Sequence, residues 1–383
     1  MALLFWLSIY FLGWTFIGYP LALFLLSKIV GYRSESRREI TTGNFPRLTV
    51  IIAAHNEEAH IQRRIRNLLA QTYPGDQIEI LLASDGSSDA TVKRAQDLGC
   101  SNLRALDLPR RGKALTHNHA VQHALEEIIV FTDARTEFAP DFLVKAVQLL
   151  STQTVGCVVG NLIFRSAVNT AVVKHEQRFW SYEAWLRDWE SRLGILATAT
   201  GACMLVRKKL FRPLGPAGDS DFITPLDVII QGYRVVQAWD AVAYDEPPAS
   251  LRRQFRTRAR MTAKNFGGTI HHWGAINWLV HPLVTLGLFS HKVLRWLTPY
   301  FLTIAAFASL WLATRGTFYA TVFGVEMGLL CLAAAGLVLQ RNGGQLAPAA
   351  MVLSFLVSNA GIAVGVIRAA FGRVPASFTP GQN

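Results

Sequence analysis

Long apolar stretches stand at both ends of the chain, and shorter ones alternate with polar segments between them. Ala2–Ser27 contains no charged residue, and these 26 positions exceed the ~20 that a helix needs to cross a bilayer. Near the other end, Val293–Ala313, Phe318–Gln340 and Leu346–Ile367 read as three further spans. In between, Leu48–Ala54 (LTVIIAA) is a continuous β-branched run, the mark of a strand buried on both faces. Ile78–Ala83, Leu103–Leu108 and Glu127–Thr132 repeat that pattern. Helical spacing separates them: Ile61, Ile65, Leu68 and Leu69 within Glu57–Ala70, then Ser88–Leu98 closed by Gly99, Gly112–Leu125 and Asp141–Leu150. Val172, Phe179, Tyr182, Trp185, Trp189 and Leu193 mark a longer amphipathic helix opposite Lys174, Glu176, Arg187, Asp188 and Arg192. Its tryptophans suit a headgroup layer.

This β-α alternation predicts an α/β domain, a mostly parallel sheet with helices on both faces. The expected organisation is a transmembrane helix over 1–30, a globular domain over 43–266, an interfacial region over 267–292 with Trp273 and Trp278, three transmembrane helices over 293–371 and a tail over 372–383. The first apolar run is too long for a signal peptide, and Lys28, Arg33, Arg37 and Arg38 follow it. The positive-inside rule then expects the globular domain in the cytoplasm.

Hydrophobic residues make up 51% of the 383 positions and charged residues 17%, well below the ~25% of soluble domains. That excludes disorder. Four cysteines exclude a disulfide scaffold, and Cys100, Cys157 and Cys203 are too dispersed for a C-x-x-C site. The net charge of +12 does not imply nucleic acid, because much of the excess flanks apolar spans, where charge asymmetry has a topological cause.

Ligands on parallel sheets bind beyond the carboxyl ends of the strands. Three polar sets follow strands here: His55-Asn56-Glu57, Asp85-Gly86-Ser87-Ser88-Asp89 and Asp133-Ala134-Arg135. No G-x-G-x-x-G or P-loop follows any of them, which argues against dinucleotide oxidoreductases and P-loop NTPases. Asp85 at a strand end suits a base or ribose, and equally a turn. Arg111-Gly112-Lys113 before a helix suits a diphosphate, and equally a solvated loop. His119 and His123 are four apart on a helix but have no evident third zinc ligand.

The ordered set Ala53-Ala54-His55-Asn56-Glu57-Glu58, Asp85-Gly86-Ser87-Ser88-Asp89, Arg111-Gly112-Lys113 and Phe131-Thr132-Asp133 resembles the family 2 glycosyltransferases, and the likeness continues through Thr200-Gly201-Ala202, Asp221 and Gly232-Tyr233-Arg234. With the flanking spans it resembles the membrane-embedded branch, which includes cellulose, hyaluronan and poly-N-acetylglucosamine synthases and lipid glycosyltransferases. The resemblance implies a GT-A fold and inverting transfer from a nucleotide sugar, expected to be UDP-linked, to a lipid or growing glycan at the cytoplasmic face of a bacterial inner membrane. It implies that His55, Asn56, Glu57 and Asp85 hold the nucleotide, with Arg111 and Lys113 on its phosphates. Asp133 matches the first acid of the D-x-D motif for Mg²⁺ or Mn²⁺, but Arg135 stands at the second. Arg135, Thr200 and Gly201 are expected in the donor and acceptor pocket.

Asp221 is the expected catalytic base, with Asp219 and Asp227 as rivals; Ser220 replaces the acid that usually precedes it. The branch's Q-x-x-R-W pattern is loosely matched by Gln254 and Arg258, four apart with no Trp following. Gln254, Arg256 and Arg258 are expected to clamp the departing diphosphate or to meet membrane lipid headgroups. A nucleotidyltransferase and a non-catalytic nucleotide-binding membrane component are the rival functions, the latter favoured by Arg135 and Ser220.

Overall fold

A computed structural model describes residues 1–29, 45–168, 170–272, 278–342, 344 and 346–374. Arg33, Arg37, Arg38, Trp273 and the last part of the tail lie outside the described residues.

The four apolar runs form strands β1 (Leu48–Ala54), β2 (Ile78–Asp85), β3 (Leu103–Leu108) and β4 (Ile128–Asp133), followed by β5 (Glu137–Phe138), β6 (Val155–Phe164), β7 (Met204–Arg207) and β8 (Arg234–Asp245). They make one eight-stranded sheet in the order β3-β2-β1-β4-β7-β6-β8-β5. β1 to β4 are mutually parallel, as are β6 and β8, whereas β7 and β5 run antiparallel to their neighbours. In register, Ala53 pairs with Asp133, Ala54 with Ser84 and Asp85 with Leu108, so the polar sets after β1, β2 and β4 emerge at one edge.

Two short helices at the N-terminus, α1 (Ala2–Gly13) and α2 (Tyr19–Ile29), are joined by a π turn into one apolar helix. α3 (Ile61–Leu69), α4 (Thr91–Gln96), α5 (Lys113–His123) and α6 (Phe142–Leu150) alternate with the strands, and α7 (Ala171–Leu193), α8 (Ser220–Ile230) and α9 (Leu251–His272) follow. The sheet's alternating side chains form two cores. Ile52, Leu82 and Val130 pack under α3 and α6 with Ile65 and Phe142. Ile51, Leu81 and Phe131 pack with Phe222 and Leu226 of α8.

Among the described residues, four helices are long and apolar enough to cross a bilayer. These are Ala2–Ile29, then Pro282–Arg315, built from α10 (Pro282–Leu288), a π turn and α11 (Leu294–Leu312), then α12 (Thr317–Arg341) and α13 (Ala347–Ala370). The second begins at Pro282, before the expected Val293. Arg295 does not break it because Arg295 is buried against Glu183 of α7. Glu326 within α12 accepts from Ser309 Oγ at 2.6 Å, a hydrogen bond between neighbouring spans.

α7 differs from expectation. Its charged face turns inward: Glu176, Glu183, Arg187 and Glu190 are buried, while Trp185 is 56% exposed. The charges face partners, not water. Glu190 Oε1 accepts from Tyr19 Oη at 2.7 Å and meets His291 Nδ1 at 2.7 Å, and Lys292 Nζ donates to Glu183 Oε2 at 2.7 Å. These bonds pin the first two spans to α7. The last span meets α9 through Gly361-Ile-Ala-Val-Gly365. A Cβ at Gly365 would stand 2.6 Å from Thr262 Cβ and 2.7 Å from the Ala259 carbonyl oxygen. This is the close approach that G-x-x-x-G permits.

Candidate active site

The loops after β1 and β2 are bonded into one wall. Asn56 takes a left-handed φ of 55°, its Oδ1 accepts from Ser88 N at 2.8 Å and its N donates to Ser87 Oγ at 3.1 Å. Glu57 N donates to Thr91 Oγ1 at 2.9 Å, and His55 Nδ1 meets the Asp85 carbonyl at 2.9 Å. The Asp85 carboxylate accepts from Arg111 N at 2.7 Å and Gly112 N at 3.0 Å. Gly112 has a φ of 93°, a conformation a side chain resists. Asp85 therefore anchors the Arg-Gly-Lys turn, which aims Lys113 at the strand ends while Arg111 stays exposed.

Lys113 Nζ stands 2.5 Å from Asp133 Oδ1. Burial opposes the charge of Asp133, but Lys113 outweighs it and holds the carboxyl below its usual range; Arg260 of α9 adds to the effect. Beneath it, Arg64 is 1% exposed and donates to Thr132 Oγ1 at 2.9 Å; burial pulls it down to about 9. Arg135 Nε lies 3.1 and 3.0 Å from the two Glu57 oxygens, so that pair spans the wall.

Asp221 opens α8 on the far side of Lys113. Its Oδ2 accepts from Gly201 N at 3.4 Å, its carbonyl accepts from Ala199 N at 2.8 Å, and its Oδ1 is buried without a partner. A Cβ at Gly201 would lie 3.4 Å from that of Asp221, in ordinary contact with it. Burial, and then the neighbouring Asp219, push Asp221 up to about 7, while Lys113 pulls the other way. His117, buried and driven down to about 3, is neutral; its Nδ1 meets Ser220 Oγ at 3.1 Å, next to Asp221. Thr200, behind Gly201, accepts from the buried Arg187 of α7.

The fold thus gathers His55, Asn56, Glu57, Asp85, Arg111, Lys113, Asp133, Arg135, Gly201 and Asp221 around one cleft. It takes Gln254 and Arg258 elsewhere. Gln254 is wholly buried and donates to Glu176 Oε1 at 2.8 Å, and Arg258 Nη2 donates to Glu176 Oε2 at 2.9 Å. Both fasten α9 to α7, and Arg256 is exposed. Arg260 and the buried Lys264 act on the cleft instead: Arg260 on Asp133, Lys264 on Asp219 and Asp221. Arg260 closes the basic stretch Arg252–Arg260 that the sequence offers for a diphosphate, but Lys264 was missed, although both follow Arg256 at intervals of four and share its helix face, whereas Gln254 and Arg258 share another. Asp245, closing β8, was also missed. Its Oδ2 accepts from Thr136 Oγ1 at 3.2 Å, and burial and then Asp133 raise it to about 6.

The site thus lies at the strand ends of a GT-A-like sheet, beside four helices long and apolar enough to cross a bilayer. Residues 49–215 match the family model for glycosyl transferase family 2. It is similar to the β-monoglucosyldiacylglycerol synthase of Trichormus variabilis, 27% identical over 249 residues, covering 61% of this chain and 50% of that protein. It is also similar to the poly-β-1,6-N-acetyl-D-glucosamine synthase of Staphylococcus aureus (strain COL), 24% identical over 248 residues, 62% of this chain and 59% of that one. The chain thus matches between half and three-fifths of these relatives' length. Among solved structures, the mannosyltransferase PcManGT from Pyrobaculum calidifontis, in complex with GDP-Man and Mn²⁺, shares the fold with a TM-score of 0.70 at 22% identity, covering 97% of this chain and 99% of that one.

Whether these residues suit such an ion is a question of donors. Among the described residues no group of three or more His, Cys, Asp or Glu could hold a metal. Asp133 is the one carboxylate of the D-x-D pattern, and Lys113 already occupies it. Arg135, at the second position, offers no lone pair. The donor set fits a cationic anion site better than a site for a divalent ion.

Proposed function

We propose that this chain transfers a sugar, with inversion, from a nucleotide donor to the hydroxyl of a lipid or growing glycan at the cytoplasmic membrane face. Asp221 carries the reading: a buried carboxyl with an unpartnered oxygen, poised near neutral pH, stands across a cleft from a cationic pocket. A general base works best when its pKa lies near the working pH. As the acceptor oxygen bonds to the anomeric carbon, its proton passes to Asp221. The bond from that carbon to the phosphate oxygen breaks on the opposite face, and its electron pair leaves with the nucleoside diphosphate. The Asn56 and Asp85 loops hold the base and ribose; Lys113, with Arg260 and Lys264, meets the phosphates. The synthase relatives make a glycolipid and a polysaccharide, which supports a lipid or glycan acceptor. The expected donor is UDP-linked, and a GDP-sugar, which the solved neighbour carries, is the competitor.

The test is a donor screen. Detergent-purified protein is offered UDP- and GDP-sugars with diacylglycerol or short glycan acceptors, and nucleoside diphosphate release is read together with the anomeric configuration of the product. Release that requires acceptor, with inverted product, is expected. Nucleotide binding without release from any donor would favour the non-catalytic reading instead.

A further inference from the structure

Transfer leaves two negative phosphates where the glycosidic bond was, and something positive must meet them. The D-x-D pattern does this through a divalent ion held between acids and phosphates. In this chain the positive charge is already built in. Lys113 Nζ sits 2.5 Å from Asp133 Oδ1, the place such an ion would take. Arg135 occupies the second acid's position and is tied to Glu57. Asp245 is the next acid along the cleft, and its oxygens accept from Thr136 Oγ1 at 3.2 Å and Glu246 N at 2.7 Å. Lys264 is only 3% exposed and lies among Lys113, Arg260, Asp219 and Asp221. Asp219 and Asp221 face this group, and with Lys113 and Arg260 beside it three cations converge where an incoming diphosphate would add negative charge.

We propose that Lys113, backed by Arg260 and Lys264, receives the donor diphosphate and the departing nucleoside diphosphate in place of a divalent cation. The inference rests on the cleft being a nucleotide-sugar site. Asp133 then orients Lys113: it holds the ammonium at the strand edge, from which its remaining N–H donors reach phosphate oxygens. The electron pair released to the phosphate oxygen at bond cleavage is met by these fixed charges, and no co-reactant enters. A lysine is a point charge that suits phosphate without the geometry an ion demands.

The experiment measures binding of UDP and of GDP to the full chain in detergent by titration calorimetry, once in EDTA and once with Mn²⁺. The affinity of the preferred nucleotide is expected to be the same in both. Lys113→Gln removes the charge and frees Asp133. It is expected to bind about 10–100-fold more weakly in EDTA, the loss of one charge-assisted hydrogen bond, and to regain affinity when Mn²⁺ is added. Lys113→Arg keeps the charge and is expected to stay indifferent to Mn²⁺, which guards against mistaking misfolding for lost binding. Wild-type binding that appears only with Mn²⁺ would overturn the inference, as would Lys113→Gln binding normally in EDTA. Failure of both nucleotides to bind under every condition would instead refute the nucleotide-sugar reading, and this inference with it.

Discussion

Replacing Asp221 by Asn removes a charge that the fold holds at a cost. The folded carboxyl sits at about 7 against an ordinary 3.8, a gap of about 3.2 units by subtraction, or ~4 kcal/mol at most. Water reaches the cleft, so ~2 kcal/mol is the working figure. The sign follows from the direction of the shift. The folded state holds this proton more tightly than the unfolded chain. The contribution to stability is therefore complete below the unfolded pKa and is lost as pH rises through about 7. Asp221→Asn is expected to melt above wild type at pH 8, by ~4–8 °C for a domain of this size, and to match it near pH 4. Its transfer rate is expected to fall ~10²–10⁴-fold with nucleotide affinity unchanged, and wild-type kcat/KM to rise with pH through neutrality. Differential scanning fluorimetry across pH and a coupled assay of nucleoside diphosphate release supply the measurements. An Asn variant that turns over normally, or whose melting gain is the same at pH 4 and pH 8, would refute the assignment.

Glu176→Ala strands Arg258, only 12% exposed at its side chain, and takes one partner from the buried Gln254, which keeps Ser354. Such a break costs ~3–5 kcal/mol, so a clear fall in melting temperature is expected, and melting like wild type would contradict the pairing. Gly365→Val forces a side chain into the α9–α13 contact. It is expected to cost ~1–3 kcal/mol by overpacking and, by shifting the helix that carries Arg260 and Lys264, to weaken nucleotide binding. Gly324→Ala, whose Cβ would meet nothing within 4 Å, serves as the silent control.

The sequence is most legible where one physical pattern decides the outcome. The run Leu48–Ala54 is a buried strand because nothing in it tolerates water on either face, and the resulting register carries Asp85 and Asp133 to one edge. The second half of the sheet was not legible. Val155–Phe164 and Arg234–Asp245 pair side by side across nearly 80 positions, and no local pattern announces a long-range pairing. Nor was the sense of α7. Its periodicity marks two faces, but which face is buried depends on partners. Glu183 and Glu190 go inside because Lys292, Arg295, His291 and Tyr19 arrive from the membrane helices to receive them. The pairing of Gln254 and Arg258 with Glu176 was illegible for a related reason. Gln254 and Arg258 were chosen by likeness to a motif whose spacing they miss by one residue. On a helix one residue is about a hundred degrees, enough to move a side chain from the cleft to α7.

The same wiring says where an acceptor should enter. The side of the cleft proposed for the donor is built from the sheet: the loops after β1 and β2, the Arg-Gly-Lys turn and Asp133 all hang from parallel strands. The side that holds Asp221, the proposed base, is built from the apolar helices outward. The first two spans fix α7 through Glu183 and Glu190. α7 holds Thr200 through Arg187, and Gly201 beside it donates to Asp221. The last span sets α9, whose Lys264 faces the same carboxyl. Sheet residues can therefore position a donor without any bilayer, whereas the groups around Asp221 depend on helices that need one. A soluble nucleotide entering from the sheet side and an acceptor entering from the membrane side is the arrangement that uses both halves of this architecture.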